Sequence, residues 1–256
     1  MRSPAAQPDQ FARLARHYDA LMANVPYGLW ADYVMGLAAL AGRPIVADSK
    51  LLDLATGTGS VALQFARRGC DVTGVDLSAP MIREARRKAK AQGLRARFLC
   101  HDLADLTLPP EFDHAVCLYD SLNYITDPAR LKQAFANIRN ALKHGGLLIF
   151  DVNTVRALEA ELFTQESRPD AEVSYRWKSR YDPRTRISTI RMDFQVTDTG
   201  ERFRVVHRQR GYTDSELRAL LLEAGFARVV VYDGYRLTPP TPESDRAFYV
   251  AAAATA

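Results

Sequence analysis

Chemistry in this chain can be built on two glycines one residue apart, an aspartate just before them and a second aspartate at the end of the next apolar run. In Leu51-Leu52-Asp53-Leu54-Ala55-Thr56-Gly57-Thr58-Gly59-Ser60 an apolar run leads to Asp53, Gly57 and Gly59 follow, and a helical pattern (Val61, Ala62, Leu63, Phe65, Ala66) starts at once. That is strand, tight turn, helix. The glycines let the backbone turn sharply and approach a ligand where a Cβ would intrude. The helix that opens there points free backbone N–H groups at whatever sits in the turn. Asp71-Val72-Thr73-Gly74-Val75-Asp76 reads as a second strand ending in an acid. In a doubly wound sheet, an acid at that point can accept hydrogen bonds from both ribose hydroxyls of an adenosine.

Two classes fit these residues: a nicotinamide or flavin enzyme, and a class I S-adenosylmethionine (SAM) methyltransferase. The dinucleotide fingerprint wants a third glycine, and that slot holds Ala62, an allowed variant. Asp53 discriminates better, because it would repel a pyrophosphate and welcome the amino group of a methionine moiety. Asp53-Leu54-Ala55-Thr56-Gly57-Thr58-Gly59 resembles motif I of class I methyltransferases, with Ala55 where the first motif glycine stands. Gly74-Val75-Asp76-Leu77-Ser78 resembles the segment that follows it.

These motifs need a sheet to position them. Strands are expected at about 49–55, 70–76, 95–101, 112–119 and 145–152, with helices at 59–68, 78–91 and 127–141. Regular alternation argues a parallel sheet with helices on both faces. Ahead of it, Asp9 to about Met22 and a segment containing Trp30, Tyr33, Val34, Leu37 and Leu40 read as two helices joined by a turn at Pro26, Tyr27 and Gly28. Gly145-Gly146 is expected to close a helix that ends at Lys143 and to start the last parallel strand. From 155 to 211 the alternation breaks. Apolar and basic residues alternate there in three runs, separated by Asp182-Pro183 and Asp198-Thr199-Gly200. This predicts a three-stranded antiparallel meander with one apolar and one basic face. A helix at 213–224 and strands at 226–232 and 246–253 complete the core. The fold class expected is α/β, a Rossmann-like seven-stranded, mostly parallel sheet with an N-terminal helical cap and a small antiparallel β insert. Its divisions are a cap (1–44), a SAM-binding core (45–154), an insert covering the active site (155–211) and a C-terminal completion of the sheet (212–256).

Composition narrows the class further. A chain of 256 residues can bury a substantial core. No run of about eighteen apolar residues predicts a membrane helix, and the first residues carry no apolar stretch of a secretory signal. Cys70, Cys100 and Cys117 fall on expected strands and read as reduced core residues of a cytoplasmic protein, with no disulfide framework and no metal-ligand spacing. The net charge of +4 is compatible with an anionic partner without requiring one. Arg83, Arg86, Arg87, Lys88 and Lys90 read as a solvated helix face.

The order of motifs is similar to one group of bacterial methyltransferases, which includes YqeM-like proteins and neighbours the N,N-dimethyltransferases of nucleotide-linked sugars. The resemblance implies SAM as cofactor and N-terminal helices that cap the site, with Tyr18 of the Tyr18-Asp19 pair reaching the SAM carboxylate. On this footing Asp53, Gly57 and Gly59 position the methionine part, Asp76 holds the ribose, Asp102 and Leu103 recognise adenine, and Tyr119 lies beside the sulfonium. Trp30, Ala55, Thr58, Leu77, Ser78 and Met81 complete the expected cofactor set. Asp120, Tyr124 and His207 are candidate bases, with Tyr119 beside them, while His101 ends a buried strand and reads as structural. Tyr27 and Asn123 are candidates for contacting the acceptor, and Arg176, Arg204, Arg208 and Arg210 for holding it through a phosphate or carboxylate. The activity expected is methyl transfer to a small molecule, first an amine and then a hydroxyl. The acceptor has an anionic or nucleotide-linked form as one option, no membrane or nucleic-acid partner is expected, and a homodimer is an option. An RNA methyltransferase, an oxidoreductase and a non-catalytic SAM-binding protein are the rivals.

Overall fold

The computed structural model describes residues 9–167 and 173–255. Residues 1–8 of the expected cap, 168–172 of the expected insert and Ala256 lie outside the described residues. Two helices come first, α1 (Tyr18–Leu21) and α2 (Tyr27–Leu40). The core then runs β1 (Lys50–Leu54), α3 (Ser60–Arg67), β2 (Asp71–Asp76), α4 (Ala79–Ala91), β3 (Ala96–Cys100) and β4 (Phe112–Cys117). A short 3-10 turn (Ser121–Tyr124) leads to α5 (Pro128–Ala141) and β5 (Leu142–Asn153). Next come α6 (Val155–Glu159), β6 (Gln165–Glu166), β7 (Val173–Asp182), β8 (Ile187–Val196) and β9 (Arg202–Arg210). The described chain ends with α7 (Asp214–Glu223), β10 (Phe226–Asp233) and β11 (Arg246–Ala253).

Seven strands form one sheet in the order β10-β11-β5-β4-β1-β2-β3. All neighbours are parallel except β11, which runs antiparallel to both β10 and β5. The Rossmann-like architecture read from the alternation is therefore the architecture found. The order reverses between β1 and β4, and a crevice opens at such a switch point beyond the carboxyl ends of the strands. One apolar layer, with Phe135, Ile138, Leu217 and Leu221, covers one face of the sheet, and another, with Val34, Leu63, Phe65 and Ile82, covers the other. Helix starts are fixed by side chains: Ser78 Oγ accepts from the Met81 N–H, and Asp127 Oδ1 from the Ala129 N–H. Thr213 and Glu216 form a reciprocal capping box on α7.

The second sheet runs β6-β7-β8-β9 and is antiparallel throughout. Period-two alternation is visible in its burial: Ile190, Met192, Phe194, Phe203 and Val205 are buried, while Arg191, Asp193, Arg204 and Val206 between them are exposed. The three expected strands are present. The two-residue β6 adds a fourth, and α6 is an element the sequence did not suggest.

Other boundaries need correction. Only Tyr18–Leu21 of the expected first helix is α-helical. Its beginning is a run of turns, in which Leu14 N–H bonds to Phe11 O and His17 N–H to Leu14 O. Phe11 is drawn into a ring cluster with Tyr124 and His207, so its packing lies outside the helical stripe. The turn at Pro26 is shorter than expected, because Tyr27 and Gly28 already belong to α2. The pair Gly145-Gly146 sits inside β5 rather than before it, at a shift in register against β4, with Gly145 at φ 68°. Cys100 is exposed, not a core residue, because β3 is the sheet edge; Cys70 and Cys117 are buried as expected. His101 is exposed for the same reason. Among the described residues no helix is long and apolar enough to cross a membrane.

Candidate active site

A cavity of about 410 Å³ occupies the crevice at the ends of β1, β2 and β4. That is within the range of about 300–1,000 Å³ common for small-molecule sites. Asp53, Ala55, Thr56, Gly57, Thr58, Asp76, Leu77, Met81, Asp102 and Leu103 line one end. Residues of the second sheet and the first turns line the other, and Tyr119, Asp120 and Tyr124 stand between them.

The glycine turn is shaped as its sequence implies. Gly57 and Gly59 have φ of 55° and 78°, a region that L side chains avoid. Ala55 shares that region at φ 51°, so the departure from glycine there costs about 1 kcal/mol of local strain. Gly59 does not line the cavity; it caps α3 and packs on Phe98 and Ala85. A Cβ on Gly74 would come within 2.7 Å of Phe98 and 2.9 Å of Thr56. The second strand can therefore lie close to the turn only because that position is glycine.

Asp53 is buried, accepts from the Thr56 hydroxyl at 2.5 Å and has no cationic partner among the described residues. Burial pushes its carboxyl up to about 7, against the pull of the Thr56 bond. Asp76 accepts from the Gly57 N–H at 2.8 Å and from the Ser78 N–H at 2.8 Å, and burial raises it to about 6. Ser78 thus positions Asp76 rather than lining the cavity. Two buried carboxylates with raised pKa and no cationic partner among the described residues fit a ligand that brings an ammonium and hydroxyl donors, as SAM does with its amino group and ribose. Asp102 lines the cavity, but its carboxylate accepts from the Ala104 N–H at 2.9 Å and pairs with Arg130 at 2.8 Å. Any recognition of adenine there falls to the Asp102–Leu103 backbone.

At the end of β4 the backbone is strained: Tyr119 and Asp120 have φ of 66° and 49°. Their N–H groups donate to the two oxygens of the buried Asp151 carboxylate, at 2.7 and 3.0 Å. Arg246 from β11 pairs with Asp151 and, at 2.9 Å, with Asp120. Gln209 Nε2 of β9 donates to the other Asp120 oxygen at 2.5 Å. Both oxygens of this candidate base are therefore occupied, and burial holds its carboxyl raised against the pull of Arg246. Asp120 is a structural tie between the two sheets.

His207 Nε2 lies 2.9 Å from Gln10 O and must donate to it. Nδ1 is then the acceptor for the Tyr124 hydroxyl at 3.1 Å. Burial lowers the imidazole to about 4, so it is neutral at ordinary pH. Asn123 is fully buried and bonds Asn153 and Arg210 backbone groups, which removes it from the acceptor set.

The capping aromatics divide. Tyr18 and Tyr27 line the cavity. Trp30 does not; it supports Tyr119 with ring centroids 5.2 Å apart. Tyr119 in turn lines the cavity, its hydroxyl 3.4 Å from Met22 Sδ. Asp19 accepts from the Thr58 hydroxyl at 2.6 Å and from Lys88 Nζ at 2.8 Å, and Lys88 also reaches Ser60 at 2.8 Å. Lys88 is therefore folded under the cap instead of solvated, and desolvation lowers its pKa despite Asp19.

The candidate arginines lie elsewhere. Arg176 and Arg204 face outward from the second sheet and pair with Glu166 and Asp193. Arg208 is exposed on the same face, and Arg210 pairs with Glu216. None lines the cavity. The alternation that puts these cations on one side puts Trp177, Ile190, Met192 and Phe194 on the other, where they line it. Sequence reasoning saw both faces and chose the charged one. Arg246 had no local signal at all.

Comparison with known proteins agrees with this geometry. A family model described as a methyltransferase domain matches residues 51–146. A chain of Geobacillus sp. (strain WCH70), named as a methyltransferase, is 32% identical over 248 residues, covering 94% of this chain and 98% of its own length. YqeM of Bacillus subtilis (strain 168), also named as a methyltransferase, is 32% identical over 240 residues, covering 91% and 93%. A solved SAM-dependent methyltransferase from Clostridium acetobutylicum ATCC 824 superposes with a TM-score of 0.83 at 29% identity, over 95% of this chain and 99% of that one. The sugar N-methyltransferase KedS8 from Streptoalloteichus sp. ATCC 53650 shares the fold, with a TM-score of 0.67 at 21% identity over 99% and 96%.

Proposed function

This chain belongs to the SAM-dependent methyltransferases, and we propose that it transfers the methyl group of SAM to a nitrogen of a small-molecule acceptor enclosed between the strand ends and the second sheet. The observation that carries the cofactor half is Asp53, a buried carboxylate at the glycine turn with no cationic partner among the described residues. Asp53 and Thr56 would hold the methionine amino group, Asp76 the ribose hydroxyls, and Tyr18 and Tyr27 would close the cavity from above. Bound SAM supplies an electrophilic methyl on a sulfonium, whose C–S bonding pair leaves with sulfur as the new bond forms. The protein's part is to hold the nucleophile in line and exclude water.

The amine follows from what the side chains at the reacting end are already doing. Asp120 is tied by Arg246 and Gln209, and His207 is neutral with both nitrogens engaged. An amine in its free-base form attacks without a base and releases its proton afterwards, whereas a hydroxyl gains much more from one. A cavity of about 410 Å³ that must also hold SAM favours a small acceptor. The nucleotide-linked option loses support, because the arginines that would have met a phosphate face away from it.

Calorimetric titration with SAM and S-adenosylhomocysteine tests the cofactor site. Wild type should bind both, and Asp76→Ala should bind at least about tenfold more weakly, a loss of about 1.4 kcal/mol. Equal affinity in the variant would remove Asp76 from the site. The nitrogen assignment fails if a hydroxyl acceptor is turned over faster than the matching amine.

A further inference from the structure

We propose that the acceptor is a neutral, flat aromatic or heteroaromatic amine, carried without phosphate or sugar, whose ring packs against the inner face of the second sheet. The proposal rests on the methyl-transfer reading above and adds the acceptor's chemical class. The wall in question is made by Phe11, Leu14, Trp177, Ile190, Met192 and Phe194. These side chains pack on one another: Leu14, Ile190, Met192 and Phe194 are buried in one apolar cluster against which Phe11 and Trp177 pack. Such a wall offers dispersion contacts and apolar area, and it cannot compensate hydroxyls taken out of water.

Charge on the cavity wall supports the same class. The one ammonium or guanidinium among the described lining residues is Arg246, already paired with Asp120 and Asp151. Asp53 and Asp76 line the cavity with no cationic partner among the described residues, while Asp102 and Asp120 are paired with Arg130 and Arg246, so no lining cation is left over for an anionic acceptor. A diphosphate placed there would lose its hydration and meet no free cation. An aromatic amine avoids that penalty and, being uncharged near neutral pH, presents the free base that a site with occupied bases requires.

Polar side chains border this apolar wall, Gln165, His207 and Gln209 among them, but Gln209 is bonded to Asp120 and His207 to Gln10 and Tyr124. The Trp177 indole N–H is buried and has no hydrogen-bond partner among the described residues. An unmade bond on a buried donor is costly. A ring nitrogen or carbonyl on the acceptor would supply the partner and fix which edge of the ring turns toward the reacting end.

The test uses the full chain loaded with S-adenosylhomocysteine and three calorimetric probes: 2-aminonaphthalene, 3-aminoquinoline, whose ring nitrogen is unprotonated at neutral pH, and a uridine-diphosphate-linked amino sugar. Both aromatic amines should bind at least about tenfold more tightly than the sugar nucleotide. Trp177→Phe keeps an aromatic side chain but loses the N–H together with one ring of the indole, and the aminonaphthalene control reads the lost ring contact. The substitution should weaken aminoquinoline about three- to tenfold and leave aminonaphthalene within about twofold, the size expected of one hydrogen bond. Equal or tighter binding of the sugar nucleotide, or no aromatic binding to protein that holds S-adenosylhomocysteine, overturns the acceptor class alone. Aromatic binding without the difference in Trp177→Phe overturns the indole's part in it. Failure to bind S-adenosylhomocysteine would instead bring down the methyl-transfer reading, and this proposal with it.

Discussion

Burial pushes the Asp53 carboxyl up to about 7, far above the ordinary carboxylate value, and Asp76 to about 6. Between pH of about 4 and the raised value, the folded state binds protons that the unfolded chain has already released, so stability from these groups falls as pH rises through that window. A ligand ammonium reverses the sign, because it needs Asp53 ionised. The increase in melting temperature on adding S-adenosylhomocysteine should therefore be larger at pH 8 than at pH 6, as thermal denaturation would show. Asp53→Asn should flatten that difference and make the unliganded protein more stable at pH 8, by about 1–3 kcal/mol. An unchanged pH response in the variant would mean the group titrates normally. Asp53 was legible in the sequence because motif I fixes its place, and so was the turn at Gly57 and Gly59. Asp120 was legible as a residue but not in its role. Its neighbours Gln209 and Arg246 lie 89 and 126 positions away, and nothing local announces them.

Among the elements, the least regular one forms part of the cavity wall. The first turns and α1 contribute Phe11, Tyr18 and Met22 to the cavity, yet α1 has only four residues and no side-chain cap. A helix that short does not hold itself together. Its anchor is Asp19, bonded to Thr58 in the glycine turn and to Lys88 on α4. Lys88→Met keeps the stem's packing and leaves Asp19 without its cation. It should speed amide exchange and proteolysis in residues 9–22 and weaken SAM by about three- to tenfold, as one charge-assisted bond would. Unchanged exchange there would show that apolar packing alone holds the cap. The same elements show why strands were easier to read than the cap. Alternation marks a strand wherever it docks, so β7, β8 and β9 were visible from 155–211. The stripe of Phe11, Leu14 and Tyr18 looked helical although tertiary contacts divide it into turns. For Lys88, a cationic helix gave no sign that one of its charges folds inward.

At the scale of the whole molecule, the cavity exists only because two sheets meet, and the meeting is polar. Asn123 joins β5 to β9 through Asn153 and Arg210, Gln209 joins β9 to Asp120, and Arg246 gathers Asp120, Asp151 and Asn153 at the rim of the core sheet. Asp151 has the further task of holding Tyr119 and Asp120 in left-handed backbone, so the same carboxylate sets the reacting end and the sheet junction. Removing Arg246 would leave two buried carboxylates without a counter-charge, a change that typically costs about 3–5 kcal/mol. Arg246→Met should lose that much stability in denaturant unfolding. It should also raise amide exchange at both the β4 end and β9, because each depends on Asp120. Arg246→Lys keeps a charge but lacks the planar fork that reaches both carboxylates, so it should fall between wild type and Arg246→Met. A loss below about 1 kcal/mol would reduce the pairs to the weight of surface ion pairs. Faster exchange at β4 with β9 unchanged would mean the second sheet is held by its apolar face and not by this junction.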